Sequence, residues 1–416
     1  MPSLSSLVRR VPRHLLLATS LLLAALAGLA TAHRSPARET SDVYVWQRAW
    51  HPALRDALQQ ARDLTHAWHV LGAEATPDGA LRPIAVDLKS LAATTRPVVL
   101  VIRIDGQLAG LDGAALVRGI MALHDRWQAG GLAVAGVEID HDCGTAHLPD
   151  YALWLVDLRR ALGPATPVSI TALPAWLGSP ALEQVLAEAD ESVLQVHAVR
   201  QPRAGLFDAE QAWRWTNAYA RRTDHPFRVA LPTYGSRVSF AADGTIADVE
   251  SEAPTLAATV DRQELGVAPS EVARLLRRLR ADPPPHLEGW AWFRLPTVED
   301  RRAWRLATWR AVVQGRPLRA PVSLAWRAAA EPGAYDVVLE NPGTLDAELP
   351  AAVPLPAQCA LADGANGYAP AGAALRAPHP GLLPPGTRLI IGWTRCASPP
   401  NPSSVVLPDA SSQASS

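Results

Sequence analysis

Eight short apolar runs alternate with amphipathic stretches along most of this 416-residue chain, and this alternation constrains the fold more than any other feature. Each run is rich in β-branched or aromatic residues and ends at Gly, Pro or a charge, as buried strands do. The runs are residues 43–46, 66–72, 98–104, 134–140, 168–172, 193–197, 227–233 and 289–294. Residues with helical spacing of apolar positions are 52–61, 112–129, 149–162, 182–189, 208–222, 270–280 and 298–314. The pattern predicts a (β/α)8 barrel of the TIM type.

The same alternation of strands and helices is also compatible with an open, doubly wound sheet. No glycine-rich phosphate-binding fingerprint follows the first run, which counts against it. Three of the helical stretches begin with a capping residue, namely Asp112, Asp208 and Ser270. The segment 82–93 between the second and third runs contains Pro83 and fits neither helix nor strand clearly.

The composition changes after Pro317 to short extended pieces separated by Pro, Gly and Asn, without a long helical pattern. Such a pattern predicts a small, all-β, sandwich-like region. We therefore expect a barrel over residues 42–316, a β-rich accessory domain over 318–396 and a Ser/Pro-rich disordered tail over 397–416. A long, acidic excursion at residues 237–267 follows the seventh run, where barrel enzymes often carry functional loops.

The N-terminus has the pattern of a targeting segment. Arg9, Arg10 and Arg13 precede an apolar run over 15–30, and Ala30-Thr31-Ala32 supplies small residues for cleavage. This predicts a secretory signal peptide at 1–32, a linker at 33–41, and export to the periplasm or the medium. An uncleaved signal anchor is the alternative, because the run approaches the length that spans a bilayer; only then is a membrane a partner.

Composition and cysteines limit the partners further. With 48% hydrophobic and 19% charged residues and a net charge of −1, the chain lacks the basic surface typical of nucleic-acid binding. In an exported chain, Cys359 and Cys396 are expected to form a disulfide. Cys143 is then left over, and we interpret it as a small buried side chain.

The stretch GVEIDHDCG in the fourth run places carboxylates at every second position: Glu138, Asp140 and Asp142. Alternate strand residues share a face, so the three lie ~6–7 Å apart on one side. In a barrel, chemistry is located at the carboxyl ends of the strands. Repulsion between close carboxylates raises at least one pKa, as a general acid for glycoside cleavage requires. The alternative is a purely structural pairing with arginines, for example Arg103 or Arg294.

This stretch resembles the fourth-strand signature of family 18 glycoside hydrolases, the chitinase-type barrels, which reads G-V-D-I-D-W-E-Y-P. The resemblance puts the family's acid at Asp142, its assisting Asp at Asp140 and its first Asp at Glu138. Residues 229–235 (VALPTYG) resemble the seventh strand, and 289–292 (GWAW) resemble the eighth, which ends in a Trp under the sugar; we expect Trp292 to take that role. In this chain the acid is one methylene shorter than the family's Glu, and His197 replaces the family's sixth-strand Tyr.

From residue 43 to 396 the chain also resembles an uncharacterised bacterial family, domain of unknown function 3142. That family has no established activity, and the resemblance implies a barrel related to family 18. The matching segments are IDHDC (139–143), LPDY (148–151), SITALP (169–174), QVH (195–197), ENPG (340–343) and GWTRC (392–396).

The remaining site predictions concern side chains at strand ends. Gln195 and His197 share a face of the sixth strand, Tyr234 ends the seventh, and Trp46 and Arg103 close the first and third. We expect all five to bind substrate. No cofactor is expected, and a metal site is expected only if His197 joins Asp140 and Asp142.

Together these patterns predict an exported glycoside hydrolase-like protein that acts on a bacterial polysaccharide or glycan. Two alternatives remain open at this point. One is a non-catalytic glycan-binding barrel of the cell envelope, and the other is a metal-dependent deacetylase or hydrolase.

Overall fold

A computed structural model describes residues 40–76, 80–104, 110, 112–197, 205–241, 243, 245–250, 261–378, 381–400 and 405–407. The predicted signal peptide, the linker up to residue 39 and the end of the tail (408–416) lie outside the described residues. No helix in these ranges has the length and apolar character needed to cross a bilayer.

All eight predicted runs are strands, and they form one parallel sheet. The sheet closes into a barrel because the first strand pairs in parallel with both the second and the eighth. The prediction of a (β/α)8 barrel is therefore confirmed. The barrel strands are β1 (Thr40–Val45), β2 (Trp68–Ala75), β3 (Val98–Ile104), β4 (Val134–His141), β5 (Val168–Ala172), β6 (Glu191–Gln195), β7 (Phe227–Pro232) and β8 (Leu287–Phe293).

A helix follows each barrel strand. Side chains of Asp112 and Asp208 accept hydrogen bonds from backbone N–H groups of the first turn, so both predicted caps are confirmed. The helix expected to start at Ser270 begins one residue earlier, at Pro269. The helices are α1 (Pro52–Ala61), α2 (Leu88–Ala92), α3 (Gly113–Ala129), α4 (Leu148–Leu162), α5 (Leu182–Ala187), α6 (Ala209–Ala220), α7 (Pro269–Ala281) and α8 (Leu306–Val313).

Two connections carry additional strands. The ambiguous segment 82–93 contains a short strand, Leu81–Pro83, which pairs antiparallel with β2, and then α2, capped by Asp87. The excursion after β7 forms a three-stranded antiparallel sheet, in which Ser236–Phe240 lies between Ile246–Glu250 and Asp261–Leu265.

The two faces of the barrel strands bury different chemistry. The outward side chains are mostly branched apolar residues, such as Ile102 and Ile139, and pack against the helices in the main core. The inward side chains include a small apolar cluster with Leu71, Val101 and Val193, together with many polar and charged groups. In the described core, several charged side chains are buried together inside the barrel. The candidate site lies where the barrel opens at the carboxyl ends of its strands.

The C-terminal region is all-β, as predicted. Three antiparallel sheets share one apolar core, to which Val337, Val353 and Leu383 each contribute from a different sheet. Cys359 and Cys396 are directly paired across neighbouring strands and form the expected disulfide. The strands are Val322–Ala328, Ala334–Glu340, Ala347–Glu348, Ala352–Pro354, Cys359–Gly364, Ala369–Ala371, Ala374–Arg376, Leu382–Leu383, Arg388–Cys396 and Val405–Leu407.

The last of these strands corrects one expectation about the tail. Val405–Leu407 pairs antiparallel with the strand Val322–Ala328 and extends the five-stranded sheet. Val405–Leu407 is the apolar part of this Ser/Pro-rich tail, and its backbone groups form the hydrogen bonds that the edge of the sheet offers. The prediction of disorder therefore does not hold for these three residues.

Two acidic side chains of the C-terminal region cap barrel helices. Glu348 Oε1 accepts a hydrogen bond of 2.9 Å from the backbone N–H of Ser270 at the start of α7. Asp346 Oδ2 accepts one of 2.6 Å from the backbone N–H of Arg305, at the start of α8. First-turn N–H groups have no partner within their own helix, so these contacts stabilise both helices and attach the C-terminal sheets to the barrel.

Candidate active site at the carboxyl end of the barrel

The three carboxylates of the β4 stretch lie at three depths. Glu138 is fully buried, Asp140 is 2% exposed, and the side chain of Asp142, just past the strand, is 42% exposed. Asp140 and Asp142 both contact Arg103, which lies on the neighbouring strand β3. The structure therefore brings two of the three carboxylates together at the barrel mouth and separates the third below them.

Glu138 is held by three side chains inside the barrel. Tyr44 Oη donates a hydrogen bond of 2.7 Å to Oε1, and His69 Nδ1 and Ser169 Oγ lie 2.9 Å and 3.4 Å from Oε2. Its oxygens are occupied, and no surface remains for a substrate. The expectation that Glu138 takes part in catalysis therefore needs correction, because in this position it can only support its neighbours.

Below Glu138, a buried ionic network continues across the barrel. His69 Nε2 lies 3.3 Å from Asp42 Oδ2, and Arg228 Nε lies 2.8 Å from the same oxygen and 2.6 Å from Glu191. Burial lowers the pKa of His69, but the charge of Glu138 and hydrogen bonds to Asp42 and Glu138 outweigh this and raise it to about 10. His69 is therefore a cation at neutral pH and balances the carboxylates on either side of it.

Asp140 is the central group of the mouth. It accepts hydrogen bonds from Arg103 Nη1 at 2.6 Å, from Thr171 Oγ1 at 2.7 Å and from Gln195 Nε2 at 3.2 Å. Burial raises its pKa to about 6; the charge of Asp142 adds to this effect, while Arg103 and Thr171 oppose it. A carboxyl group that titrates near neutrality inside a barrel mouth is typical of catalytic sites.

Asp142 is the accessible member of the pair. Its Oδ2 lies 3.3 Å from Arg103 Nη2, and the rest of the carboxylate faces solvent. Of the three β4 carboxylates, it alone can reach a ligand without rearrangement. Arg103, expected to be a substrate-binding residue, here acts as a bridge between two acids.

A small cavity adjoins Asp140 on the inner side of the mouth. Its volume is about 10 Å³, which holds roughly one water molecule. The cavity is lined by Tyr44, Trp46, Asp140, Thr171, Gln195, His197, Ala230 and Phe293.

His197 is buried in the wall of this cavity. Its Nδ1 lies 3.2 Å from Tyr234 Oη, and its ring stacks on Phe293 with the ring centres 5.5 Å apart. Burial lowers its pKa to about 4, so the ring is neutral at neutral pH. Its Nε2 has no hydrogen-bond partner within the described part of the chain, which leaves one polar atom available to a ligand or a water molecule.

Among the predicted aromatic residues, Trp46 lies in the site and Trp292 does not. Trp292 is fully buried on the outer side of β8, where Nε1 donates a 2.8 Å hydrogen bond to Ser41 and the ring contacts Trp309. The prediction that Trp292 contacts the sugar is therefore wrong. Alternation along the strand turns the next residue, Phe293, inward, where its ring lies 5.1 Å from that of Trp46.

Two further sequence predictions concern Tyr234 and a possible metal site. The hydroxyl of Tyr234 contacts His197, and burial raises its pKa above its usual range, so it stays a neutral hydroxyl. Across the described ranges, no three His, Cys, Asp or Glu side chains are placed to hold a metal ion together. A metal site built from His197, Asp140 and Asp142 therefore has no support in the geometry.

Three residues of the mouth were missed from the sequence: Tyr44, Thr171 and Phe293. The side chain of each points into the barrel. In its own strand or in the paired strand, each has a neighbour whose side chain also points inward. Inward and outward side chains alternate along each strand. Assigning the inward positions of every strand, as was done for Glu138 and Gln195, would have indicated all three residues.

Comparisons with known proteins agree with this architecture. Residues 94–298 match the family model Domain of unknown function (DUF3142), which confirms the resemblance over that range, and residues 324–397 match Domain of unknown function (DUF8456). No curated protein matches the chain.

Solved structures with this fold include a spore cortex-lytic enzyme and several chitinases. The spore cortex-lytic enzyme SleL of Bacillus megaterium QM B1551 is 11% identical, with a TM-score of 0.50 over 68% of this chain and 76% of that one. A chitinase from Chromobacterium violaceum ATCC 12472 is 14% identical, with a TM-score of 0.47 over 68% of this chain and 100% of that one. At these identities the similarity shows the fold alone, a (β/α)8 barrel.

Proposed function

We propose that this chain, whose barrel matches the DUF3142 family over residues 94–298, is an exported glycoside hydrolase-like enzyme acting on a bacterial glycan. The observation that carries the proposal is the pair Asp140 and Asp142, joined through Arg103 at the carboxyl end of β4. This end of a barrel is where catalytic side chains of the fold are located.

In this proposal Asp142 is the general acid. Its exposed carboxyl group donates a proton to the oxygen of the scissile glycosidic bond as that bond breaks and positive charge develops on the sugar ring. A water molecule from solvent then bonds to the anomeric carbon and gives a proton back to the Asp142 carboxylate, which completes the hydrolysis. Asp140 lies one inward step below, and its negative charge stabilises that positive charge. Arg103 keeps both carboxyl groups oriented toward the mouth.

The glycan is held by the groups that surround this pair. Gln195 and the free Nε2 of His197 offer hydrogen bonds to sugar hydroxyls. The rings of Trp46 and Phe293 present apolar surface at the same level, which suits the C–H faces of a sugar. Tyr234 positions His197 from behind.

Export is part of the same proposal. It is supported by the predicted signal peptide at 1–32 and by the disulfide between Cys359 and Cys396, because disulfides persist in oxidising compartments. We also propose 42–316 and 318–396 as the limits of the barrel and the accessory domain.

The test is turnover by the purified full-length protein of a panel of bacterial exopolysaccharides and amino-sugar oligomers. Asp142→Asn is compared with Asp125→Asn, which removes an exposed carboxylate on α3 far from the mouth. Product release by the wild type and by Asp125→Asn, but not by Asp142→Asn, supports the proposal. Equal turnover by Asp142→Asn removes Asp142 from the mechanism.

A non-catalytic glycan-binding protein is the second candidate. It is favoured by the small cavity beside Asp140 and by the contact of Arg103 with both carboxylates, which suit a static binding surface. Glycan binding without turnover, retained in Asp142→Asn, would identify this function.

A further inference from the structure

A second and larger cavity lies outside the barrel mouth, between α7, the end of α8 and the C-terminal sheets. Its volume is about 420 Å³, within the range of ~300–1,000 Å³ that holds small organic ligands. It runs along the exposed side of α7 and the connection 314–321 between barrel and sheets. We refer to it as the arginine cavity, because four arginines line it: Arg277, Arg280, Arg316 and Arg319.

Two of these arginines belong to α7 and two to the connection. Arg277 and Arg280 are three residues apart on the helix, so they lie side by side on one face. The other two arginines of α7 are directed elsewhere, because Arg274 pairs with Glu271 and Arg278 pairs with Glu210. Arg277 and Arg280 are thus the two arginines of α7 that line the cavity, and Arg280 Nη2 also donates a hydrogen bond of 3.2 Å to the Val313 carbonyl.

Within the part of the chain that the structure describes, the acidic residues of the cavity form no ion pair with three of its four arginines. Asp346 and Glu348 both line it, but each has an oxygen bonded to a backbone N–H at a helix start, as described above. In the described ranges, neither forms an ion pair with Arg277, Arg316 or Arg319. Four arginines and two carboxylates line the cavity, so its lining carries an excess of positive charge.

This arrangement is chemically suited to an anion. Guanidinium groups that share one cavity repel each other, and a bound anion relieves that repulsion. The planar fork of arginine matches the oxygens of a carboxylate, phosphate or sulfate group with paired hydrogen bonds. Arg277, Arg316 and Arg319 are exposed, so a ligand can enter without movement of the backbone.

We propose that the arginine cavity binds a segment of an anionic glycan through its oxyanion groups, at a site separate from the barrel mouth. That the anion belongs to a glycan rests on the proposed function. That the cavity binds an anion rests on the exposed Arg277, Arg316 and Arg319 in its lining. The site would hold a charged polysaccharide beside the barrel while the mouth acts on it.

The experiment is calorimetric titration of the full-length protein carrying Asp142→Asn, which prevents turnover of the ligand. The probes are a uronic acid trimer, a neutral glucose trimer and inorganic sulfate. The double variant Arg277→Gln/Arg319→Gln is compared with Arg118→Gln, an exposed arginine on α3 outside the cavity. Thermal unfolding of each variant verifies that it is folded.

We expect the uronic acid trimer to bind more tightly than the neutral trimer, and its affinity to fall with added salt. In the double variant the affinity falls by roughly 10-fold or more, because two charge-assisted contacts are lost, while Arg118→Gln binds as before. The proposal is overturned if both trimers bind equally well, or if sulfate binds but the uronic acid trimer does not. It is also overturned if the affinity for the uronic acid trimer is unchanged in the double variant. Because turnover is not measured, failure of the catalytic proposal leaves this result interpretable.

Discussion

Arg103 and Asp140 form an ion pair of 2.6 Å at the carboxyl end of the barrel, and the second terminal nitrogen of Arg103 lies 3.3 Å from Asp142. One guanidinium therefore faces two carboxylates of very different exposure. The buried one retains its proton up to a higher pH than an ordinary Asp, and the exposed one faces the space where a substrate can bind. In the proposed chemistry the exposed carboxyl group donates the proton, and the buried one acts as an anion above its pKa of about 6.

Replacement of Arg103 should raise the pKa of Asp140 further. Burial raises this pKa to about 6 against the opposing charge of Arg103, so removal of that charge in Arg103→Gln shifts it upward. Carboxyl-carbon NMR titration of Asp140 measures the change, with Arg118→Gln as the control. An unchanged or lower titration midpoint in Arg103→Gln would contradict the ion pair.

The raised pKa of Asp140 also makes stability depend on pH. Between its ordinary value of 3.8 and about 6, the folded protein holds the Asp140 proton more tightly than the unfolded chain does. Stability from this group is thus present at low pH and is lost as the pH rises through that window. An Asn at this position does not titrate. The unfolding free energy of Asp140→Asn minus that of wild type should therefore rise by up to ~3 kcal/mol from about pH 4 to pH 7. Urea unfolding at both pH values measures this, and a constant difference contradicts it.

The buried network below the mouth should be essential to folding. His69→Gln leaves Glu138 without its cation and Asp42 with one fewer, and removal of one partner from a buried ionic cluster costs ~3–5 kcal/mol. His51→Gln, at an exposed position, should change the unfolding free energy little. Because the pKa of His69 is raised to about 10, its stabilisation is present below pH 6.5 and disappears as the pH rises through 10. A stable His69→Gln variant would show that the network is dispensable.

Trp292 and Phe293 should affect different properties. Trp292→Phe removes a hydrogen bond and volume from the outer core, so it lowers stability by about 1–3 kcal/mol but leaves glycan affinity unchanged. Phe293→Leu removes an aromatic surface from the mouth and should weaken glycan binding by roughly 2- to 10-fold. Thermal unfolding and glycan titration of both variants separate the two effects. Weaker binding in Trp292→Phe would restore the expectation made from the sequence.

The predicted signal peptide gives a direct test of export. On expression with its native leader in a Gram-negative host, the mature protein should begin at His33 and be found in the periplasm or the medium. N-terminal sequencing and cell fractionation measure both. A protein that keeps residues 1–32 and sediments with membranes would identify the uncleaved anchor instead.

Local patterns were sufficient to predict the barrel and the placement of its main acids. Period-two alternation in β4 indicated that Glu138 and Asp140 share a face, because a polar side chain in an apolar strand must point toward other polar groups. On β8 the same reasoning failed. Both faces of that strand are buried, so apolar side chains at 290–293 do not distinguish inside from outside.

The partners of the buried charges could not be predicted from local sequence at all. His69 meets Glu138 across 69 residues of chain, and Tyr44 meets it across 94. Only closure of the barrel brings such positions together. From the sequence alone, where these partners are not visible, Glu138 resembled a third catalytic acid. The structure shows it as a buried member of an ionic network.

The most direct measurement of the central claim is glycan turnover by Asp142→Asn beside its binding of the same glycan. If Asp142 is the general acid, the variant binds the glycan with nearly wild-type affinity, while kcat falls by ~100-fold or more. Wild-type turnover that persists in the variant would contradict the account.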